Sequence, residues 1–546
     1  MADRKITELS AMSAGTQATG DLLTIVDVSE AAAADKNKKI TVQNFVQGIP
    51  SDAQVNGVDV GRGAGNVASN TVVGANAFDA NSSGTSSVAV GAEALGANTS
   101  GSSNTAVGYH ALENNTTTNN NTAVGHQALE ANTASGNTAV GDRSLTANTT
   151  GNGNVALGKN SLLVNTTGTQ NIAIGQNSLD ANTTASNNIA VGHEALGANT
   201  TGTQNTAVGT SALDANTTGQ SNAAFGMNSL GSNTTANKNT GFGHRTLAAN
   251  TTGDGNTAVG ADALDANTTG NNNTAIGYGA HGANTTGTHN TAGGALALDA
   301  STTGTGNTAF GAEALTSNTT ANDNSAFGRN SLYYNTTGAN NTAIGRAALQ
   351  NNTTGANNTA VGRAAMQNNT TGSSTAVGQE SLQLSTTGTQ NTAVGKESGK
   401  NTTTGYNNVF IGDNAGTSNT TGHHNTACGR LALNLNTTGV YNSGFGAEAL
   451  QKTTANHNVA VGYQSLEENT TGQENSSIGS LALDDNTSGS YNTALGKGAL
   501  TANTTGSHNH GYGVSSLSSN SSGSRNIGIG YAALGASAGL SDSIAI

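Results

Sequence analysis

The chain has 546 residues, 75 of them glycine, with a single proline (Pro50), no tryptophan, 9% charged and 3% aromatic residues and a net charge of −13. One proline and no Gly-X-Y period exclude a collagen, and the acidic balance excludes the clustered Lys and Arg by which proteins neutralise nucleic-acid phosphates. No apolar run is long enough to cross a membrane, and Met1-Ala-Asp-Arg-Lys5 opens into polar sequence without the apolar core of a secretory leader.

Residues 1–50 differ in kind from the rest. Leu22–Val28 and Lys39–Val42 alternate apolar and polar residues as short strands do, the second leading into Phe45 and Val46. Fifty residues lie near the lower limit for an independent core, so this segment is expected to order by docking on a partner, through Leu22, Leu23, Ile25, Val26, Ile40, Val42 and Phe45. Residues 51–69 are a transition; the GRGAG run at 61–65 has no following helix and no Lys-Ser/Thr, so it reads as a flexible turn rather than a phosphate loop.

From Asn70 to the last residue one pattern returns, as in Asn104–Asn120, NTAVGYHALENNTTTNN. The glycine closing the NTAVG run recurs from Gly74 to Gly530 in 27 intervals, 24 of seventeen residues and three of sixteen. A fixed period of this length is the mark of a solenoid, in which one turn cannot bury its apolar face alone. Gly, Asn and Thr in every repeat argue against helix, so the expectation is all-β: a parallel β-solenoid of about 28 turns. We number the slots 1 to 17 from the Asn of NTAVG.

Slots 1 to 5 alternate and end on Gly, as a short strand closed by a turn would. Slot 4 holds an aliphatic or aromatic residue (Val107, Ile174, Phe225), and slot 9 is usually Leu (Leu112, Leu129, Leu213), suggesting a second short strand. Asn-Thr-Thr-Gly at slots 12 to 15 is a turn composition. The three shortened intervals lose their residue at 129–137, 366–375 and 450–458, between slot 9 and the next slot 1, as expected of loops, because a one-residue slip in a strand reverses every side chain. Slots 2 and 4 are then the core face. Slot 3 stays small on the opposite face (Ala106, Ala123, Gly241, Gly444), which suggests that another backbone approaches there. Two large aliphatics per turn make a thin core, so a homotrimer with slot 3 near the subunit contact is expected. Cys428, at slot 4, reads as a buried small hydrophobe.

Charge collects at slots 6, 7, 10 and 11, free to vary and to recognise. Recurrent acids such as Glu93 and Glu313 lie far apart along the stack, while paired-carboxylate hydrolysis needs two within ~5–10 Å; no catalytic constellation emerges. Glu467-Glu468 and Asp484-Asp485 read as solvated surface. His508-Asn509-His510 places two imidazoles on one face of an expected strand, from which three chains could offer six nitrogens to a transition metal. Eight of the ten tyrosines follow residue 332; Tyr333, Tyr334, Tyr406, Tyr441 and Tyr491, with His423 and His424, make the distal part the candidate receptor contact, since exposed aromatics stack on sugar faces. The chain stops with SIAI, at slot 4 of another turn.

The NTAVG and NIAIG runs at 137–141 and 171–175 resemble the strand motif of trimeric autotransporter adhesin heads, and the repeat is similar to fibre proteins of tailed bacteriophages. Residues 5–28 and 38–46 resemble the N-terminal segments by which tail fibres attach to the virion, and 57–74 resembles the entry to their repeats. The resemblance implies left-handed β-rolls associated in threes, a domain at 1–50 docked on a tail or baseplate protein, a linker at 51–69, and a shaft at 70–546 that meets a host-surface glycan or protein or joins a further fibre protein. The turn is longer than in adhesin heads, and neither secretion signal nor C-terminal membrane anchor is evident, which favours a part of the virion over bacterial self-display. The expected function is a non-enzymatic tail fibre without cofactor. The alternatives are a spacer or decoration fibre without receptor role, and a polysaccharide-degrading tailspike.

Overall fold

The computed structural model describes residues 53–55, 58–536 and 538–546; the expected strands Leu22–Val28 and Lys39–Val42, and with them every expected attachment residue, lie outside the described residues. The chain divides into two units, 1–50 and 51–546. The second is all-β, without a helix among its described residues.

It opens on a hairpin whose second strand runs against the stack. β1 (Ala53–Val55) pairs antiparallel with β2 (Val58–Gly61), and β2 pairs antiparallel with β3 (Thr71–Val73), so a hairpin covers the first edge of the solenoid. From β3 onward every strand pairs in parallel with the next, through β31 (Ile544–Ala545). β5 (Thr105–Val107) and β6 (Thr122–Val124) show the register: Thr105 opposite Thr122, Ala106 opposite Ala123, Val107 opposite Val124. The register holds across all three shortened intervals, as in Ala123 opposite Ala139 and Val361 opposite Val377.

The core differs from the expectation. Slot 3, not slot 4, faces inward: Ala106, Ala123, Ala139 and their equivalents are buried, while slots 2 and 4 on the same strands are half-buried or exposed. Slot 3 is therefore inside the coil and unavailable to a second subunit. It stays small because slot 9 fills the interior from the far wall, where Leu112, Leu129 and Leu145 are buried with the Ala or Ser of slot 8. The coil is narrow enough that one Ala and one Leu per turn close it. Cys428 correspondingly lies half-buried on the outer face, between Ile411 and Phe445 in the column, rather than in the core.

Slot 9 is also not a strand. Leu112 has φ 53°, and the residues at slots 7 and 17 of the same repeat, His110 and Asn120, are left-handed as well. Such a conformation costs a β-carbon-bearing residue about 1–3 kcal/mol. It turns each peptide along the stack axis: His110 N–H donates to Ala92 O of the preceding turn (3.1 Å), Leu112 N–H to Ala128 O of the following one (3.0 Å), and Asn120 N–H to Ser102 O (3.1 Å). The ladder thus runs around the whole coil rather than only along the strands.

Two buried asparagine columns complete it. At slot 12, Asn199 donates from Nδ2 to Asn182 Oδ1 (3.0 Å) in one adjoining turn and to Gly202 O (3.0 Å) in its own, and accepts from Asn216 in the other (2.9 Å). At slot 1, Asn188 Oδ1 accepts the backbone N–H of Asn205 (2.9 Å), and its Nδ2 donates to Gly202 O (2.9 Å). An unmet buried amide costs about 1–3 kcal/mol, and stacking identical residues meets it along most of the column; where the next turn carries Ser at slot 12, as Ser301 after Asn284 and Ser385 after Asn369, the Asn Oδ1 is left without a hydrogen-bond partner. Gly at slot 5 is required twice over: Gly158 has φ 136°, and a β-carbon there would lie 2.6 Å from the Gly175 carbonyl below it.

Candidate interaction surfaces

Because slot 3 points inward, the outer face of the strands carries slots 2 and 4. Slot 2 holds Thr, Ser, Val, Ile, Ala or His, and slot 4 an aliphatic, aromatic or Cys side chain in every turn from Val73 to Ile529 except Gly293; neither slot ever carries Asp, Glu, Lys or Arg. Phe242 is 57% exposed and Ile276 50%. Phe225 lies tilted against Phe242 (5.5 Å between rings), and Phe310 stacks on Phe327 (5.4 Å). Gly293 does not break the column, because the Phe310 ring occupies the place a β-carbon there would take. At ~4.8 Å per turn and ~10 Å of width the strip covers on the order of 1,200 Å². A column this long and free of charge is a candidate interaction surface.

A second surface gathers several of the aromatic residues expected at the distal end. Slots 16 and 17 bring Tyr406 onto His423 (4.6 Å, stacked) and His424 onto Tyr441 (4.9 Å, stacked), and Tyr441 continues onto His457 (5.0 Å, stacked). Tyr491 stacks on His508 (4.9 Å) as a separate pair. Tyr333 and Tyr334 meet edge to face at 4.6 Å, at slots 10 and 11 and so off this ladder. His457 was missed because the shortened interval before it hides its slot when counting forward; counting back from Asn458 recovers it. The stacking also alters the chemistry expected of the ladder. Both faces of Tyr441 are occupied by imidazoles, so what the ladder offers a ligand is ring edges, hydroxyls and imidazole nitrogens more than open faces for sugars.

His510 begins β29 (His510–Tyr512) at slot 2, half-buried, whereas His508 precedes that strand in the left-handed conformation at slot 17 (φ 57°). The two imidazoles therefore do not share a strand, and His508 is already stacked on Tyr491.

The charged columns at slots 6, 7, 10 and 11 form the third surface. Glu380 accepts from Lys400 Nζ (2.7 Å) and also meets Arg363, and the Lys400 hydrogen bond holds its carboxyl below the ordinary value. At slot 10, Asp180 and Asp214 flank Gly197, and Asp265 and Asp299 flank Gly282; partial burial raises all four, with a nearby carboxylate adding to each: Asp214 to Asp180, Glu194 to Asp214, Asp262 to Asp265 and Asp265 to Asp299. The expectation of solvated surface at 467–485 holds for Glu468, which pairs with Lys452, but not for Asp484. Burial, then Glu467, pushes Asp484 up to about 6, and its Oδ1 is buried without a hydrogen-bond partner. Compared with known proteins, the chain matches no family model, no curated protein and no solved structure.

Proposed function

We propose that the protein is a structural fibre of a tailed-phage virion, self-associated along the slot-4 column as a homotrimer, attached through residues 1–50 and presenting its distal turns to a host surface. The observation that carries this reading is the uncharged column itself. It has the period and the length of the solenoid, so the partner that covers it needs the same period over the same length, and a copy of this chain is the simplest such partner. The estimated strip exceeds the ~800 Å² per partner of a standard stable interface. Three thin coils sharing these columns would gain the apolar burial that each lacks alone. The attachment and virion parts of the reading rest on the resemblance of residues 5–46 to tail-fibre attachment segments. The host-facing part rests on the exposed ladder from Tyr406 to His457.

Analytical ultracentrifugation of the full chain tests the assembly: a mass three times 53.6 kDa is expected, falling to one chain when Phe242→Glu and Ile276→Glu are combined. A monomer before substitution would overturn it. Gold-labelled antibody raised against residues 400–546 then tests the location, with label expected at the far ends of fibres on intact particles. Loss of adsorption on deleting that segment distinguishes a receptor fibre from a spacer, and shortening of host polysaccharide by the pure protein would indicate a tailspike instead.

A further inference from the structure

We propose that His110, Glu113 and Glu130 form a binding site for one divalent transition-metal ion, Zn²⁺ or a cation of similar size, that clamps two successive turns together. His110 stands at slot 7 and Glu113 at slot 10 of one turn, and Glu130 at slot 10 of the next. All three are half-buried, and one ligand atom from each lies within 4.8 Å of the others. His110 Nδ1 is 2.6 Å from Glu113 Oε2 and 3.8 Å from Glu130 Oε1. A metal holding nitrogen and oxygen ligands at ~2.0–2.2 Å separates them by about 3.0–3.5 Å, a spacing that these two distances bracket.

Three further observations point to a cation. First, His110 Nδ1 is itself buried and has no hydrogen bond that satisfies it, despite the two carboxylates beside it. An imidazole nitrogen lying against two carboxylate oxygens without a hydrogen bond can serve as a ligand to an ion held among them. Secondly, acids at slot 10 of adjoining turns repel, and elsewhere the stack relieves this. Gly197 and Gly282 space the aspartates apart, and Lys452 stands by Glu467 and Asp484. Among the described residues no Lys or Arg forms an ion pair with Glu113 or Glu130. Thirdly, the imidazole is held in place: the Tyr109 ring lies 3.8 Å from it and stacks in turn on His126 at 5.7 Å, while His126 is engaged with Asp142 at 3.0 Å. A ligand whose rotamer is fixed by packing loses little freedom on binding.

The place in the stack gives such a clamp a purpose. Thr118 replaces the usual slot-15 glycine, and the interval from Gly125 to Gly141 is one residue short. Glu130 belongs to that shortened segment. One imidazole and two carboxylates suit Zn²⁺ or Mn²⁺ and leave positions for water.

Equilibrium dialysis of the full chain against Zn²⁺ at neutral pH tests the proposal, with His110→Ala, Glu130→Gln and the distant control His424→Ala. Wild type is expected to bind one ion per chain more than H110A, and E130Q to weaken that site at least tenfold. H424A, which leaves the site intact, should retain it. Zn²⁺ should also slow amide exchange within 104–142 in wild type and in H424A but not in H110A. Equal Zn²⁺ stoichiometry and affinity in wild type and H110A, both folded by circular dichroism, would overturn the site, as would exchange in 104–142 indifferent to the metal in wild type.

Discussion

Two stretches of the stack have no hydrophobic side chain at slot 9 to close the core, and they are repaired differently. At 277–293 a histidine takes the slot: His281 is buried, and burial drives its imidazole down to about 4. At 395–416 the slot is emptied twice, to Gly399 and Gly416, and Phe410 enters from slot 3 of the intervening strand β23 (Val409–Ile411). A β-carbon on Gly416 would meet the Phe410 ring at 2.4 Å and one on Gly399 at 2.6 Å. The stack therefore keeps the volume inside each turn rather than the residue at any one slot. Filling from the wrong wall works when both flanking leucines are removed, and filling with a polar ring works at the expense of tolerance to acid.

The sharpest way to break this comparison is to empty the second stretch. Phe410→Ala is expected to cost about 3–5 kcal/mol locally, towards the upper end because neither glycine has a side chain that could relax into the void. A 28-turn array need not unfold as one unit, so the measurement is hydrogen exchange of residues 393–430 against a distant reference such as 189–225. Gly416→Leu alone should destabilise the same segment by overpacking. Combining Phe410→Ala, Gly399→Leu and Gly416→Leu restores the ordinary pattern and is expected to recover most of the loss. If the triple variant is no better than Phe410→Ala, core volume is not what the stack conserves.

That compensation also marks how far the sequence could be read. The period, the parallel pairing and the register of Val107 on Val124 follow from spacing, because a stack repeats its side chains whatever their direction. Which face is inside does not. A three-residue strand offers only one residue against two, and slots 2 and 4, with Thr and Val, look more like a core than slot 3 with Ala. The deciding fact is the width of the coil, set by Leu112 reaching across from a left-handed turn, and a left-handed leucine is what sequence propensity advises against. Phe410 and Gly416 carried the missing signal: a large residue at slot 3 coincides with glycine at slot 9 on both sides, which can happen only if those slots share a cavity. The asparagines at slots 1 and 12 were legible as turn residues but not as buried ladders, since both uses favour Asn. In the interaction surfaces, the residues from Tyr406 to Tyr441 were legible from tyrosine density, whereas the slot-4 column and the His110 cluster required coordinates.

The first stretch predicts a pH effect. His281 is neutral in the fold with its imidazole near 4, whereas an unfolded histidine titrates near 6.5. Protonation thus favours the unfolded turn. The stability is fully present above about pH 6.5 and is lost as pH falls towards 4, by roughly 3 kcal/mol in all. Exchange of residues 264–298, expressed at each pH relative to the free-peptide rate, should accelerate across that window and do so no longer in His281→Leu, which matches the neighbouring turns. A smaller effect is expected at Asn199→Ala, about 2 kcal/mol, because it orphans Asn182 Oδ1 and removes one donor from Gly202 O in a buried column; the same exchange experiment over 182–219 measures it.

The smallest predicted effect has the opposite sign. Asp484 is held near 6, above the value of about 3.9 for an unfolded aspartate, because burial and the neighbouring Glu467 disfavour its charge. Its protonated form is the one the fold prefers, so its contribution is present below about pH 4 and disappears as pH rises through 6. The group is partly open to solvent, so the gain on acidification is expected to stay below about 1 kcal/mol. Between pH 7 and 5, with exchange expressed at each pH relative to the free-peptide rate, exchange over 467–500 should therefore slow while exchange over 264–298 quickens in the same sample. Asp484→Asn, which keeps the shape and removes the charge, should abolish the slowing without touching the quickening. Parallel acceleration of both segments would mean that repulsion or loss of association along the whole stack, rather than these two buried groups, governs its response to acid.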